Sequence, residues 1–144
     1  MGKREELFTS PDATLAWGEQ WALSLPPGSV LALDGELGAG KTTLIKGIVQ
    51  GLTGIQPQEV LSPTFVYLNI YDIPTCIPVY HFDLYRLHNE EEFLSLGFEE
   101  YLFGQGICCL EWSERIFSLL PPHTIKITLS HVSEYQRLME MYFL

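Results

Sequence analysis

Gly35-Glu36-Leu37-Gly38-Ala39-Gly40-Lys41-Thr42 fills the pattern G-x-x-x-x-G-K-[ST] without a mismatch. Ahead of it, Val30-Leu31-Ala32-Leu33 is a short apolar run suited to a buried strand, and residues 43–52 behind it space their apolar side chains for a helix. Strand, glycine loop and helix in that order form the context in which the pattern holds phosphate. Main-chain N–H groups curl round the β-phosphate while the positive end of the helix faces the same anion. Gly35, Gly38 and Gly40 permit the close approach, and Lys41 reaches the β- and γ-phosphates as a point charge. The Thr42 hydroxyl takes one place in the octahedral shell of Mg²⁺, and Thr43 is set to meet the α-phosphate. Nucleotide binding is therefore the leading reading.

Working outward, Ser10-Pro11-Asp12 predicts a helix start, with Ser10 as N-cap and Pro11 at the first helical position. That helix is expected to run to about Leu25, where Pro26-Pro27-Gly28 stops it, with Trp17 and Trp21 forming a core stripe on one face. Past the loop helix, residues 54–63 read as a connector and residues 64–71 as a strand rich in aromatic and β-branched side chains. Residues 72–78 predict a hairpin-like turn, returning the chain along residues 79–85. Residues 88–96 suggest a short helix with an acidic first turn, ending at Gly97, and residues 98–103 another turn. Residues 107–110 read as a buried strand and residues 124–129 as an alternating one. Residues 137–142 fit an antiparallel mate for the latter or a helix. The expectation is a single α/β domain over residues 1–144 with a central sheet.

The net charge is −10, with only eight Lys and Arg in 144 residues. Phosphate backbones are held chiefly by those side chains, so any nucleic-acid role is expected to pass through a basic partner. No apolar run approaches the eighteen or so residues of a membrane span, and Met1-Gly2-Lys3-Arg4-Glu5-Glu6 leads into no signal core, so a cytoplasmic protein without a membrane partner is expected. Cys76, Cys108 and Cys109 lack metal or redox spacing and read as free thiols, mostly buried.

Phosphoryl chemistry also needs a carboxylate at a neighbouring strand end, where it holds the metal or orients the attacking water. Glu111 ends the apolar run Ile107-Cys108-Cys109-Leu110, the pattern of a Walker B element, and Asp83 interrupts the strand at His81-Phe82-Asp83-Leu84-Tyr85-Arg86. His81 itself reads as a hydrogen-bonded strand residue rather than a catalyst. Ser62-Pro63-Thr64 lies where many phosphate-loop proteins sense the γ-phosphate, so Thr64 is either a switch residue or part of a proline turn. Arg86 and Arg115 are either charge stabilisers or surface ion-pair partners, and Trp112 reads as a core cap. The absence of an Asn-Lys-x-Asp tetrad disfavours guanine and leaves adenine as the expected base.

With these pieces in place the chain resembles the TsaE family, formerly called YjeE. The likeness rests on Leu37-Gly38-Ala39-Gly40-Lys41-Thr42-Thr43, Ser62-Pro63-Thr64-Phe65, His81-Phe82-Asp83-Leu84-Tyr85-Arg86-Leu87 and Leu110-Glu111-Trp112-Ser113-Glu114, in that order. The resemblance implies an α/β P-loop NTPase-like domain, a central mixed sheet flanked by helices. It implies binding of ATP and ADP with Mg²⁺ through residues 36 and 38–43, with Lys41, Thr64, Asp83 and Glu111 catalytic and Thr42 and Glu111 on the metal. It also implies adenine contact at Thr9, and weak ATP hydrolysis in concert with TsaB-like and TsaD-like subunits that make threonylcarbamoyladenosine in transfer RNA. Contact with the transfer RNA would be indirect, through those subunits. Glu36 departs from the aspartate or asparagine more common in that family, and the Cys108-Cys109 pair and the tail after Ser130 depart as well. A nucleotide-gated binding module is the alternative, and a small-molecule kinase ranks last for want of room for a lid.

Overall fold

The structure, a computed structural model, describes residues 2–143; Met1 and Leu144, the ends of the expected domain, lie outside the described residues. One sheet of seven strands runs through it in the order β1-β7-β6-β2-β5-β4-β3. The strands are β1 (Gly2–Phe8), β2 (Val30–Gly35), β3 (Leu68–Tyr71), β4 (Val79–Asp83), β5 (Ile107–Glu111), β6 (Ile125–His131) and β7 (Arg137–Phe143). β6, β2, β5 and β4 are mutually parallel; β7 and β3 flank them antiparallel, and β1 pairs antiparallel with β7. The sheet is thus mixed, as expected. β5 is buried at all five positions, because helices cover both faces, which is why its sequence reads as a continuous apolar run rather than an alternation.

Helices α1 (Pro11–Ala22) and α2 (Lys41–Thr53) lie on one face. They enclose Leu31, Leu33, Cys109, Ile127, Leu129, Met139 and Met141 of the sheet. The other face buries Val30, Phe82, Cys108 and Leu110 beneath α3 (Glu90–Ser95), α4 (Glu99–Leu102) and a 3₁₀ segment, Ser113–Leu119. α1 starts as its sequence predicts: Ser10 Oγ accepts the Ala13 N–H at 3.0 Å. It ends at Ala22 rather than near Leu25, since Ser24 and Leu25 already donate to carbonyls three residues back, a tightened turn leading into Pro26. Trp17 stacks on Trp21 with ring centroids 5.1 Å apart and meets the tilted Phe8 ring at 5.5 Å, the core stripe expected of them.

Three strands differ from their sequence reading. β3 begins at Leu68, not at residue 64, because the Pro63 carbonyl accepts the N–H groups of both Val66 and Tyr67 and turns the chain back. β4 ends at Asp83, not at residue 85, because the Asp83 side chain caps the Tyr85 N–H in a local turn. β1 has no counterpart in the sequence reading. Its charged run Lys3-Arg4-Glu5-Glu6 carries no apolar alternation and is held as an edge strand by the β7 ladder, with Lys3 Nζ bridging Glu5 and Glu140 at 2.9 Å each. Residues 137–142, which fit either a strand or a helix by sequence, lie in the strand β7, antiparallel to β6.

α2 carries the phosphate loop, and its seat on α1 is a backbone-to-backbone contact. A Cβ at Gly47 would collide with the Leu15 carbonyl and one at Gly51 with the Glu19 carbonyl, both on α1. The four-residue spacing places both glycines on one face, so the helices close to a distance only hydrogen allows. Gly47→Ala is expected to lower unfolding stability by about 1–3 kcal/mol through overpacking. An unchanged midpoint in urea denaturation would contradict that account.

The cysteines behave as core side chains. Burial pushes the Cys108 thiol up to about 12 and raises that of Cys109 as well, whereas Cys76 lies half-buried in the β3–β4 turn. A maleimide titration of the native protein at neutral pH should therefore label one thiol, Cys76, with the other two reacting only after denaturation.

Candidate nucleotide site

β2 delivers the loop, and the strands beside it deliver the acids. In the parallel register Leu33 of β2 lies opposite Glu111 of β5, and Glu111 lies opposite Asp83 of β4. Side chains at paired positions share a face, and here it is the face that α2 covers. The register alone therefore brings both carboxylates level with the start of the loop. A cleft of about 430 Å³ results, lined by Leu37, Gly38, Ala39, Gly40, Lys41, Thr42 and Thr43 and across from them by Ser62, Thr64, Asp83, Glu111 and Trp112.

The loop wall suits an anion. Gly40, the N-cap of α2, sits at φ 104° and Gly38 at φ 78°, conformations a side chain resists, and α2 has neither a side-chain cap nor an acid in its first turn. Its leading N–H groups and its positive dipole end thus face the cleft with no acid of their own helix turn to compete for them. Lys41 Nζ donates to the Gly35 carbonyl at 2.7 Å and lies 5.3 Å from the centroid of the Trp112 ring.

The opposite wall is a knot of oxygens. Asp83 Oδ2 accepts from Thr64 Oγ1 at 3.0 Å and from Ser62 Oγ at 3.2 Å, while its Oδ1 accepts the Tyr85 N–H at 3.1 Å. The segment expected either to sense phosphate or to form a turn does form a turn, and both of its hydroxyls are tethered to Asp83. Glu111 Oε2 is 2.8 Å from His81 Nε2, a pair buried between β4 and β5. Backbone strain flanks the site on both sides, since Tyr67 and Trp112 adopt the left-handed region at φ 67° and 61°.

Thr42, Thr64, Asp83 and Glu111 offer hard oxygen donors with no thiolate among them, the chemistry Mg²⁺ takes. No group of three or more His, Cys, Asp and Glu among the described residues could cage an ion unaided.

Of the expected residues, Gly38 to Thr43, Thr64, Asp83 and Glu111 meet in one cleft. Glu36 is exposed on the loop, its carbonyl accepting the Ala39 N–H, and contributes no side chain to the cleft lining. Thr9 is exposed in the bend between β1 and α1. Beside it in sequence, Pro11 and Thr14 line a small pocket of about 90 Å³ with Gly38, Thr43, Tyr135 and Arg137. Arg86 lies over the Phe65 ring at 4.5 Å and Arg115 over Trp112 at 5.9 Å, and neither lines the cleft.

Several contributors had no sequence signal strong enough to single them out. Trp112 is a wall of the cleft rather than a core cap. Arg137 donates to the Gly38 carbonyl at 3.4 Å and so ties the β6–β7 hairpin to the loop. Asp34, just ahead of the loop, has its carboxyl raised by burial, with partial relief from Lys126 at 3.5 Å. His81 lies two residues before Asp83 on a strand, and that period was the one available clue to its place on the same face.

The sequence model of the family described as threonylcarbamoyl adenosine biosynthesis protein TsaE matches residues 8–139. The chain is 41% identical over 128 residues to the tRNA threonylcarbamoyladenosine biosynthesis protein TsaE of Treponema pallidum, covering 89% of this chain and 92% of that protein. It is likewise 41% identical to the protein of the same name from Bacillus subtilis, covering 89% and 78%. The crystal structure of Bacillus subtilis YdiB superposes with a TM-score of 0.77 at 31% identity, over 97% of this chain and 84% of that one. The phosphate loop, the paired carboxylates and these matches together lead to one conclusion: the chain belongs to the TsaE family of threonylcarbamoyl adenosine biosynthesis proteins.

Proposed function

We propose that this chain binds ATP with Mg²⁺ in the loop cleft, hydrolyses it slowly by itself, and acts as the accessory ATPase of the machinery that makes threonylcarbamoyladenosine in transfer RNA, resetting a complex of TsaB-like and TsaD-like subunits. The observation that carries this reading is the meeting of the phosphate loop with Asp83 and Glu111 in one cleft. Main-chain N–H groups of residues 38–43 grip the diphosphate, and Lys41 exchanges the Gly35 carbonyl for phosphate oxygens. Thr42 and Glu111 are the residues that would hold Mg²⁺, which when bound neutralises charge developing on the phosphates. Thr64 and Asp83 stand across from the glycines, where they orient the attacking water and the terminal phosphate. The adenine belongs at the other end of the loop, by Pro11, Thr14 and Tyr135, with Thr9 close by.

Two features support a protein partner over the cleft. Leu37 at the loop tip is 98% exposed and Phe65 of the facing segment 79%, apolar side chains that a covering surface would bury. The charge of −10 supports contact with transfer RNA through the partner subunits rather than through this chain. No helix among the described residues is long and apolar enough to cross a membrane.

One observation favours a second reading, in which nucleotide occupancy rather than cleavage gates docking. Ser62 and Thr64 are tethered to Asp83, so a terminal phosphate competing for those hydroxyls would release residues 62–67.

Calorimetric titration of ATP and ADP into Lys41→Ala should show affinity reduced by roughly tenfold to a hundredfold, the loss of about 1.5–3 kcal/mol from a charged hydrogen bond. An unchanged dissociation constant would remove the nucleotide assignment. In a reconstituted multiple-turnover modification assay, Glu111→Gln is expected to slow the reaction by at least about a hundredfold if its carboxylate serves the chemistry. Full turnover by that variant, matched by full turnover with a non-hydrolysable ATP analogue, would favour gating over hydrolysis.

A further inference from the structure

His81 is wholly buried in the middle of β4, yet its Nδ1 has no hydrogen-bond partner. A buried polar side chain with an orphaned atom is a poor core filler, since an apolar residue of similar volume would pack there without that penalty. Its presence is explained by the other nitrogen. Nε2 lies 2.8 Å from Glu111 Oε2, reaching across from β4 to β5 and two residues forward, since His81 pairs with Cys109 and Asp83 with Glu111.

The geometry favours a proton on Nε2. A carboxylate facing the bare nitrogen of an imidazole would oppose lone pairs at 2.8 Å, and the same tautomer would bury an Nδ1–H with nothing to accept it. A proton on Nε2 makes the hydrogen bond to Glu111 and leaves only an unfilled acceptor, the more tolerable orphan. We propose that His81 is a positioning residue, whose Nε2–H pins Oε2 of Glu111 and so presents the rest of that carboxylate to the Mg²⁺ of the bound nucleotide. The inference rests on the ATP and Mg²⁺ reading of the cleft. Glu111 approaches the cleft from a strand end beside Trp112, whose strained backbone turns the chain away at once. Among the described residues the imidazole is the side chain that hydrogen-bonds Glu111 and sets its rotamer. An outer partner of this kind normally changes metal affinity by about tenfold to a hundredfold when removed.

Two variants separate positioning from packing. His81→Gln keeps an N–H donor at the place of Nε2, and His81→Leu keeps the volume without a donor. Mg²⁺ is titrated calorimetrically into each protein saturated with ADP, beside a titration of ADP in EDTA, which reports the loop alone. The expected result is Mg²⁺ affinity near wild type in His81→Gln and about tenfold to a hundredfold weaker in His81→Leu, with ADP binding in EDTA equal in all three. Equal Mg²⁺ affinity in all three, or equal loss in both variants, would overturn the positioning role. Should either variant fail to fold, long-range proton–nitrogen NMR of the wild type decides, since a protonated Nδ1 and bare Nε2 on His81 would refute it. ADP binding without any Mg²⁺ response in the wild type defeats this inference while sparing the loop assignment; no ADP binding at all defeats the nucleotide reading first.

Discussion

The register of three parallel strands is the constraint from which the site follows. Because β2, β5 and β4 lie side by side in parallel and step evenly, Leu33, Glu111 and Asp83 fall on one line across the sheet. A shift of any strand by one residue would swing its acid to the opposite face, into the apolar layer of Phe82 and Leu110. Position in the sheet, rather than any loop, thus determines that the carboxylates meet the glycines. Burial on both faces enforces it, since β5 has no solvent-facing side to which a misplaced carboxylate could retreat.

The second requirement is a rigid seat for the loop. α2 is held against α1 too closely for a Cβ at either contact, with Gly47 and Gly51 against the Leu15 and Glu19 carbonyls. Gly18 of α1 returns the favour near Leu44. The N-terminus of α2, which faces the cleft, therefore cannot tilt without disturbing a core that includes Trp21, Leu31 and Met139. By contrast the opposite wall, residues 61–67, is held by a few hydrogen bonds to Asp83 and Asn69 and presents Leu61, Phe65 and Val66 to solvent. One wall is packed into the core and the other is tethered by hydrogen bonds, the division that the proposed sensing of a terminal phosphate would use.

Apolar and glycine-bearing segments were legible from the chain because their pattern is local. The strand, loop and helix over residues 30–53, the Ser10 cap, the buried run ending in Glu111 and the short helix capped at Asn89 all lie near where their residues predict. The misjudged ends of β3 and β4 share one cause. Residues 64–67 and 84–85 have strand-forming side chains, but Pro63 and Asp83 offer the backbone a competing turn. β1 escaped notice because its charged residues gain their strand from β7, more than 130 positions away, and not from any pattern of their own.

The sequence by itself determined the phosphate loop, the two acids at strand ends and the family, since each is a matter of residue type at short spacing. Only the tertiary structure decided that Asp83 is shared with Ser62 and Thr64, that His81 answers to Glu111, and that Arg137 of the last strand reaches the loop. Those links span 19 to 99 positions in the chain. Hydrogen bonds over such separations arise from sheet order and register, which no local periodicity encodes.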